Sequence, residues 1–587
     1  MLEESWEVMA GMKCIHGLER RRIRRLIRLC FTVCGFLCAV AATHVAQAAG
    51  GNLLLSVADE QTEEPTITRT VLLRADAPSK RVVVRKTVPA GVGFVLDRSV
   101  ELSLSDAAYQ FRMIRGPEYR IISGTFTLEK TSLDEHAVDL PRMVDMLSKG
   151  WTSGDCCVPA SPYSLPLRMA SEDLHLAAVL GHVDAKPIPG RPRDDPPQND
   201  PSWIHEQTSH VEGLAFYRFE FLGRDGSSAS TSSASTSSEG EAEVDAVDEA
   251  GNAIPASAEE GSDAATGDAG EPANAAQDLR LPVERLVQQG ADPQVRVAIE
   301  NPFAWPLPVW LASGHVDGIF LLGDWLRLDR KVLRITDGRG PQGASMGGNH
   351  DVGRWAERIY WNLLEAGFRL PPLAGAGDQG RSTPVGYNRL YVANPLEAYR
   401  EDGALEALPV NSQQNWWNAA WKGQSVATNG PLLRPKLGGQ IPGHVFQATS
   451  GEVLQLQPEL TLTVRDPVEY LEVIHNGIVH YSARLDEFAK AGGVIPPIMI
   501  KESSWVTIRV VTLYEDHFRA AMSAPWYIDF DGRRRVTAKG VQFFRDWLSD
   551  YETRLTRLPA GDLQRHVPYI RGARAFWSKQ AELVVVE

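Results

Sequence analysis

The sequence predicts a mixed chain, α/β in its middle and β at both ends, and three observations carry that reading. Short apolar runs separated by turn formers fill residues 52 to about 140, strand-like runs interleave with helical stripes over 146–435, and strand patterning returns from about 445. With 587 residues the chain is long enough for three or four domains at about 100–200 residues each.

The N-terminal segment reads as an address. Arg20-Arg21-Arg22, Arg24, Arg25 and Arg28 precede an apolar run from Leu29 to about Ala42, and Ala46-Gln47-Ala48 supplies a small-x-small cleavage site. Residues 1–48 are therefore predicted to be a secretory signal peptide, with Met12 as an alternative start and a retained anchor as the alternative role. No later stretch reaches the ~18 apolar residues of a membrane span, so the mature chain is expected to be exported, periplasmic or secreted, with no span. Cys14, Cys30, Cys34 and Cys38 fall within the leader, leaving Cys156 and Cys157. Adjacent Cα atoms stand about 3.8 Å apart, inside the ~4.4–6.8 Å of an ordinary disulfide, so hydrophobic cores must hold the fold.

Residues 49–145 are predicted to form a β-sandwich, from Arg81-Val82-Val83-Val84, Gly93-Phe94-Val95-Leu96, Tyr109-Gln110-Phe111-Arg112, Tyr119-Arg120-Ile121-Ile122 and Thr125-Phe126-Thr127-Leu128. Within 146–435, Trp355, Ile359, Tyr360, Leu363 and Leu364 mark a helix from Val352 to Ala366. Residues 225–280 break this domain: 225–278 carry 13 acidic and no basic side chains, and the stretch lacks the apolar surface to offset its ordering entropy. It is predicted to be a disordered insertion. The whole chain carries a net charge of −14, much of it in that segment, which argues against a nucleic-acid binder. A second sandwich, immunoglobulin-like, is predicted over 436–535, with Asn476-Gly477 between alternating runs as a hairpin turn and a strand from Trp505 to Leu513. Residues 536–587 form a helical tail in which Phe544, Trp547, Leu548, Tyr551 and Leu555 share one face.

Three motif matches fail on their surroundings. Gly375-Ala376-Gly377-Asp378-Gln379-Gly380 fits the dinucleotide glycine pattern, but Pro371-Pro372 before it and Pro384 after it leave no strand–turn–helix frame. Gly343-Ala344-Ser345-Met346-Gly347 fits a nucleophile elbow, yet Asp337-Gly338-Arg339-Gly340-Pro341 is a loop rather than a strand. His205-Glu206-Gln207-Thr208-Ser209-His210 has one residue too many to place both imidazoles on one helix face, so exposed histidines near a domain edge are expected.

From Gly150 to Pro435 the chain resembles the CehA/McbA-type (carbaryl-hydrolase-like) metallohydrolases of the polymerase and histidinol phosphatase (PHP) superfamily. The resemblance rests on Gly150-Trp151-Thr152-Ser153-Gly154-Asp155, Ala170-Ser171-Glu172-Asp173-Leu174, Asn301-Pro302-Phe303, Pro384-Val385-Gly386-Tyr387-Asn388-Arg389-Leu390-Tyr391-Val392 and Thr428-Asn429-Gly430-Pro431-Leu432-Leu433. It implies a distorted α/β barrel between the two sandwiches, with histidine and carboxylate ligands for metal at its mouth. Such ligands lower the pKa of a bound water and polarise the scissile group.

The ligand positions are degenerate. The opening motif, Gly-Asp-x-His-x-His, stands here as Gly154-Asp155-Cys156-Cys157-Val158-Pro159, Asp-His as Gly181-His182, His-Pro as Asn301-Pro302, and Gly-Ser-Asp-x-His as Gly375-Ala376-Gly377-Asp378-Gln379. The candidate catalytic groups are Asp155, Glu172, Asp173, His182 and Glu300, and the candidate metal ligands Cys157, His182 and Asp378. Each has a plainer alternative: Cys157 as a buried small hydrophobe, His182 as a core histidine, Glu172-Asp173 beginning or capping a helix.

Two functions follow. One is an exported, non-catalytic module with an eroded metal site, binding a small molecule or glycan, with Trp305, Trp310, Trp325, Trp416, Trp417 and Trp421 either lining a cleft or filling the core. The other is a hydrolase of ester, carbamate or phosphoester bonds that holds a divalent transition metal through relocated ligands, His315 and Asp317 among them. A serine hydrolase built on Ser345 is a third reading.

Overall fold

The computed structural model describes residues 51–129, 132–159, 164–180, 203–219, 280–328, 338–341, 347–376, 383–393 and 413–585. The predicted leader, the acidic segment predicted as an insertion, His182, Ser345 and Asp378 lie outside these residues. The chain divides into two compact units, one made of the chain up to Thr87 with Gly93–Ile114 and Ile121–Arg142, the other of Val88–Val92, Arg115–Arg120 and everything from Met143.

Among the described residues, the regular elements of the first unit are all strands. Gly51–Asp59 lies between Ser99–Leu104, antiparallel, and Leu133–Leu140, parallel. Alternation along Gly51–Asp59 turns Leu53, Leu55 and Val57 inward. A second sheet runs in the order Gly93–Asp97, Ile67–Arg74, Ala107–Ile114, Ile122–Leu128. Phe111 of this sheet meets His136 of the other edge-on at 5.4 Å between ring centroids, so the two sheets face each other. Two expected strands shift. The run at Arg81–Val84 belongs to a strand that ends at Arg81, Ala77–Arg81, and Tyr119 and Arg120 precede a strand that starts at Ile122.

The second unit is organised by one sheet. Its leading strands are β1 (Trp151–Val158), β2 (Leu176–Leu180), β3 (Trp203–Val211), β4 (Leu214–Arg218), β5 (Val295–Ile299), β6 (Gly318–Leu322) and β7 (Pro372–Ala374), paired in the order β7-β6-β5-β4-β3-β2-β1. All run parallel except β4, which is antiparallel to both neighbours. Every residue of β1, β6 and β7 is buried, the near-continuous burial of strands covered on both faces. Helices α1 (Leu165–Ser171), α2 (Pro282–Gly290), α3 (Leu307–Ala312) and α4 (Asp351–Glu365) lie between these strands in sequence. The run curls until its ends meet: Ala376, just beyond β7, donates its N–H to Asp155 of β1 at 3.0 Å. A Cβ on Gly375 would stand 2.8 Å from the Cys157 nitrogen, so only glycine fits that approach.

The expected stripe of α4 is its buried face, with Trp355, Ile359, Tyr360, Leu363 and Leu364 all inside. The helix stops in a left-handed turn at Gly367 (φ 87°), where Gly367 N–H bonds the Leu364 carbonyl and Phe368 N–H that of Leu363. Strand β8 (Arg389–Ala393) then pairs antiparallel with β1. Helix α5 (Gln413–Trp421) leads to β9 (Ser425–Thr428), which pairs antiparallel with Ala520–Ser523 and so carries the sheet into a C-terminal set of strands.

That set includes β10 (Val468–His475), β11 (Ile478–Ala483), β12 (Ser504–Thr512), β13 (Ala520–Ser523) and β14 (Trp526–Phe530). Asn476 and Gly477 both take positive φ, 52° and 74°, the conformation that lets a two-residue turn close the β10–β11 hairpin. Helix α6 (Ala538–Leu555) is capped by the Thr537 side chain and buries Phe544, Trp547, Leu548, Tyr551 and Leu555, each worth roughly 1.5–3 kcal/mol of transfer free energy. The Trp547 and Trp577 indoles, the latter on α7 (Ala560–Glu582), donate to the Trp305 and Pro308 carbonyls and dock both helices beside α3. Among the described residues no helix is long and apolar enough to cross a membrane.

Candidate functional site

The parallel strands put the groups that follow β1, β5 and β6 at one end of the curled sheet. Asp155 is fully buried there, and its carboxylate faces backbone. Oδ1 accepts the N–H groups of Cys157 and Ala376, each at 3.0 Å, and Oδ2 accepts that of Gly386 at 2.7 Å. Burial pushes this carboxyl up to about 7, against the pull of the three amides and a weaker one from Arg389. Asp155 thus ties the end of β1 to the end of β7 and to the loop before β8.

Cys157, two residues on, donates its thiol to Glu300 Oε1 at 3.3 Å. Burial holds the thiol well above its usual range, with the charges of Glu300 and Asp155 adding to the effect, so the protonated form is the resident one. Glu300 follows directly on β5, and its Oε2 pairs with His210 Nδ1 near the end of β3. That hydrogen bond raises the imidazole pKa above 6.5, opposed by partial burial and helped by the charges of Glu300 and Asp324. The His210 side chain is 42% exposed and that of Glu300 14%, so the chain thiol–carboxylate–imidazole opens to solvent at its histidine end.

Of the sequence-predicted residues, Asp155, Cys157 and Glu300 are brought together. Glu172 and Asp173 are not part of the chain. Of the two plainer roles, beginning or capping a helix, the second holds: Glu172 is the C-terminal cap of α1, Asp173 takes φ 53°, and Asp173 pairs with Arg115 at 3.1 Å. Asp317 lies just before β6, at the opposite end of the sheet from Glu300, where Arg296 and the Val297 N–H hold its carboxylate. It therefore does not face the β5 end, and His315 precedes it on the same connection. Of the pair expected as exposed histidines, His210 is exposed and His205 is not. The segment is a strand, His205 is buried against Phe219 with ring centroids 5.0 Å apart, and burial lowers its pKa to about 4. His210 is the member of this cluster that sequence reasoning set aside, because a helix-based spacing test was applied to a strand. Trp310, Trp416 and Trp417 fill the core, while Trp305, Trp325 and Trp421 are partly buried against it.

The motifs behind the resemblance act as staples. Asn388 donates to the Gly323, Leu326 and Gly375 carbonyls, Arg389 to those of Gly386, Glu172 and Asp173. Asn429 bonds the Phe518 carbonyl and the Ala520 N–H as a surrogate strand. Tyr387 accepts from Arg519 at 2.7 Å and pairs with the buried His517.

Chemically, the strand-end groups form a hydrogen-bonded chain with a neutral thiol at one end and a carboxylate–imidazole contact at the other. A first-row metal asks for three or four ligand heads turned to one point, with cysteine as thiolate. Here the Asp155 oxygens accept main-chain amides and Glu300 lies between Cys157 and His210, so these described groups are not turned to one common point. Among the described residues no group of three or more histidine, cysteine, aspartate or glutamate side chains is arranged to hold one.

No protein-family model matches the chain, and no curated protein matches it. Among solved structures, a chain described as "The Bacillus anthracis TIE protein" is similar over 19% of this chain and 19% of its own length, at 12% identity and a TM-score of 0.13. A likeness that partial carries no argument about fold or function.

Proposed function

We propose that this chain is an exported, non-catalytic binding or interaction module, built on a PHP-like distorted α/β barrel whose metal-gripping mouth has become a hydrogen-bonded cluster. The observation that carries the reading is the engagement of Asp155: the one carboxylate matching the family's opening motif gives both oxygens to main-chain amides. The curled, mostly parallel run with helices in its connections supports the barrel. Glu300 and His210 keep a polar, solvent-reaching edge at that end, suited to hydrogen-bonding a small molecule or glycan. The Arg-rich, apolar leader supports export.

The test is an assay of the mature protein on activated esters, carbamates and phosphoesters, with and without added zinc or manganese, beside a glycan array. The reading expects no turnover and at least one saturable ligand. Metal-dependent turnover lost in Glu300→Gln would replace it with the hydrolase reading.

A further inference from the structure

We propose that Cys156 and Cys157 are a peroxide-sensitive dithiol, oxidised by hydrogen peroxide to a disulfide between adjacent residues. The pairing of β1 with β2 brings them to one side of the strand. Between Asp155 and Val158 β1 advances three residues, while β2 advances two, from Ala177 to Val179. Cys156 and Cys157 thus share the place of one residue, a bulge that breaks the usual alternation of side chains. Both face β7: the Ala374 N–H reaches the Cys156 sulfur, and a Cβ on Gly375 would stand 2.7 Å from that of Cys157. Burial raises the Tyr217 pKa and both cysteines add to it, so both sulfurs lie on the side of that phenol.

Adjacency sets the character of the bond. Neighbouring Cα atoms about 3.8 Å apart are too close for an unstrained disulfide, and strain makes a disulfide easy to reduce. The pair is therefore a reversible switch and not a staple.

The strand-end chain supplies the proton acceptor. Burial keeps both thiols protonated at rest, so the proton must leave as sulfur attacks. Cys157 already donates its S–H to Glu300 Oε1 at 3.3 Å, and Glu300 meets the exposed His210, which leaves the thiol one layer below solvent. Cys157 passes this proton to Glu300 while its sulfur attacks one peroxide oxygen. The O–O bond breaks, the leaving hydroxide takes the proton back as water, and Cys157 becomes the sulfenic acid. The Cys156 sulfur then displaces the hydroxyl group, which leaves with the Cys156 proton as a second water. Two thiols are oxidised, one peroxide is reduced, and Glu300 loses its thiol donor. The proposal does not depend on what the barrel mouth binds.

Peptide mapping of the full chain after exposure to hydrogen peroxide tests the proposal. Thiols are alkylated after denaturation, and the tryptic peptide from Gly150 to Arg168, which holds both cysteines, is weighed. In the wild type it should be unalkylated and lighter by two hydrogens, and reduced glutathione added before alkylation should restore both thiols. In Cys156→Ser, dimedone should trap Cys157 as the sulfenic acid. Glu300→Gln should slow ring formation about tenfold or more. The proposal is overturned by any of three results: a wild-type peptide with both cysteines alkylated after peroxide, sulfinic or sulfonic acid in place of the ring, or ring formation at the wild-type rate in Glu300→Gln.

Discussion

Asp155 and Gly386 meet at 2.7 Å although 231 positions separate them, the carboxylate Oδ2 accepting the glycine N–H in the interior of the protein. This bond and its two companions make a group that the family resemblance marks as catalytic into a junction between three backbone segments. Asp155→Ala would leave three buried amides without acceptors, and a loss of about 3 kcal/mol or more is expected, since each stranded donor costs about 1–3 kcal/mol. Denaturant unfolding measures it; a loss below about 1 kcal/mol would contradict the role.

The same carboxyl sets a pH dependence. Its folded pKa, about 7, lies above the ordinary 3.8, so the native state binds the extra proton. The associated stability is complete below pH ~4 and is lost as pH rises through about 7, a span worth roughly 4 kcal/mol. The unfolding free energy of the wild type should fall over that window, and Asp155→Asn should flatten the slope.

His210 responds in the same direction for a different reason. Pairing with Glu300 raises its pKa above 6.5, so its contribution is full below pH 6.5 and fades as pH passes the raised value. With the side chain 42% exposed, the effect on stability is small and the clean readout is the imidazole titration itself. NMR titration should place it above 6.5 in the wild type and lower in Glu300→Gln.

Arg509 carries a buried charge network. It donates to Glu357 of α4 at 2.6 Å and to Glu472 of β10 at 2.7 Å, with all three side chains at most 10% exposed. Arg509→Leu removes the guanidinium shared by two buried carboxylates and should cost about 3–5 kcal/mol, whereas adding Glu357→Gln and Glu472→Gln should recover much of it.

Gly154 is a steric requirement within a buried strand. A Cβ there would stand 2.3 Å from the Trp416 indole, whose N–H is held by the Thr152 carbonyl at 3.0 Å. Gly154→Ala should therefore destabilise by about 1–3 kcal/mol, read from the unfolding midpoint.

What was legible in the sequence was local and periodic. The α4 and α6 faces follow the 3.6-residue repeat because burial on one side of a helix is written into consecutive turns. The β10–β11 turn follows from two residues that tolerate positive φ. The strand-end chain was only half legible. Cys157 and Glu300 come from 143 residues apart, and His210 enters from a third strand, so no spacing rule links them. Asp317 looked as eligible as Glu300, because sequence does not say which end of a strand a flanking carboxylate occupies. The staples, Asn388, Arg389 and Asn429, were read as family markers, and only the contacts reveal that they hold main chain in place.

Metal content is the most direct measurement of the central claim, that the strand-end groups bond to one another and to backbone. Elemental analysis of the protein, purified without chelator and then dialysed against zinc, should find well under one equivalent of any transition metal per chain, with an unfolding midpoint that zinc leaves unchanged. One full equivalent that stabilises the wild type and disappears in Cys157→Ser or Glu300→Gln would contradict it.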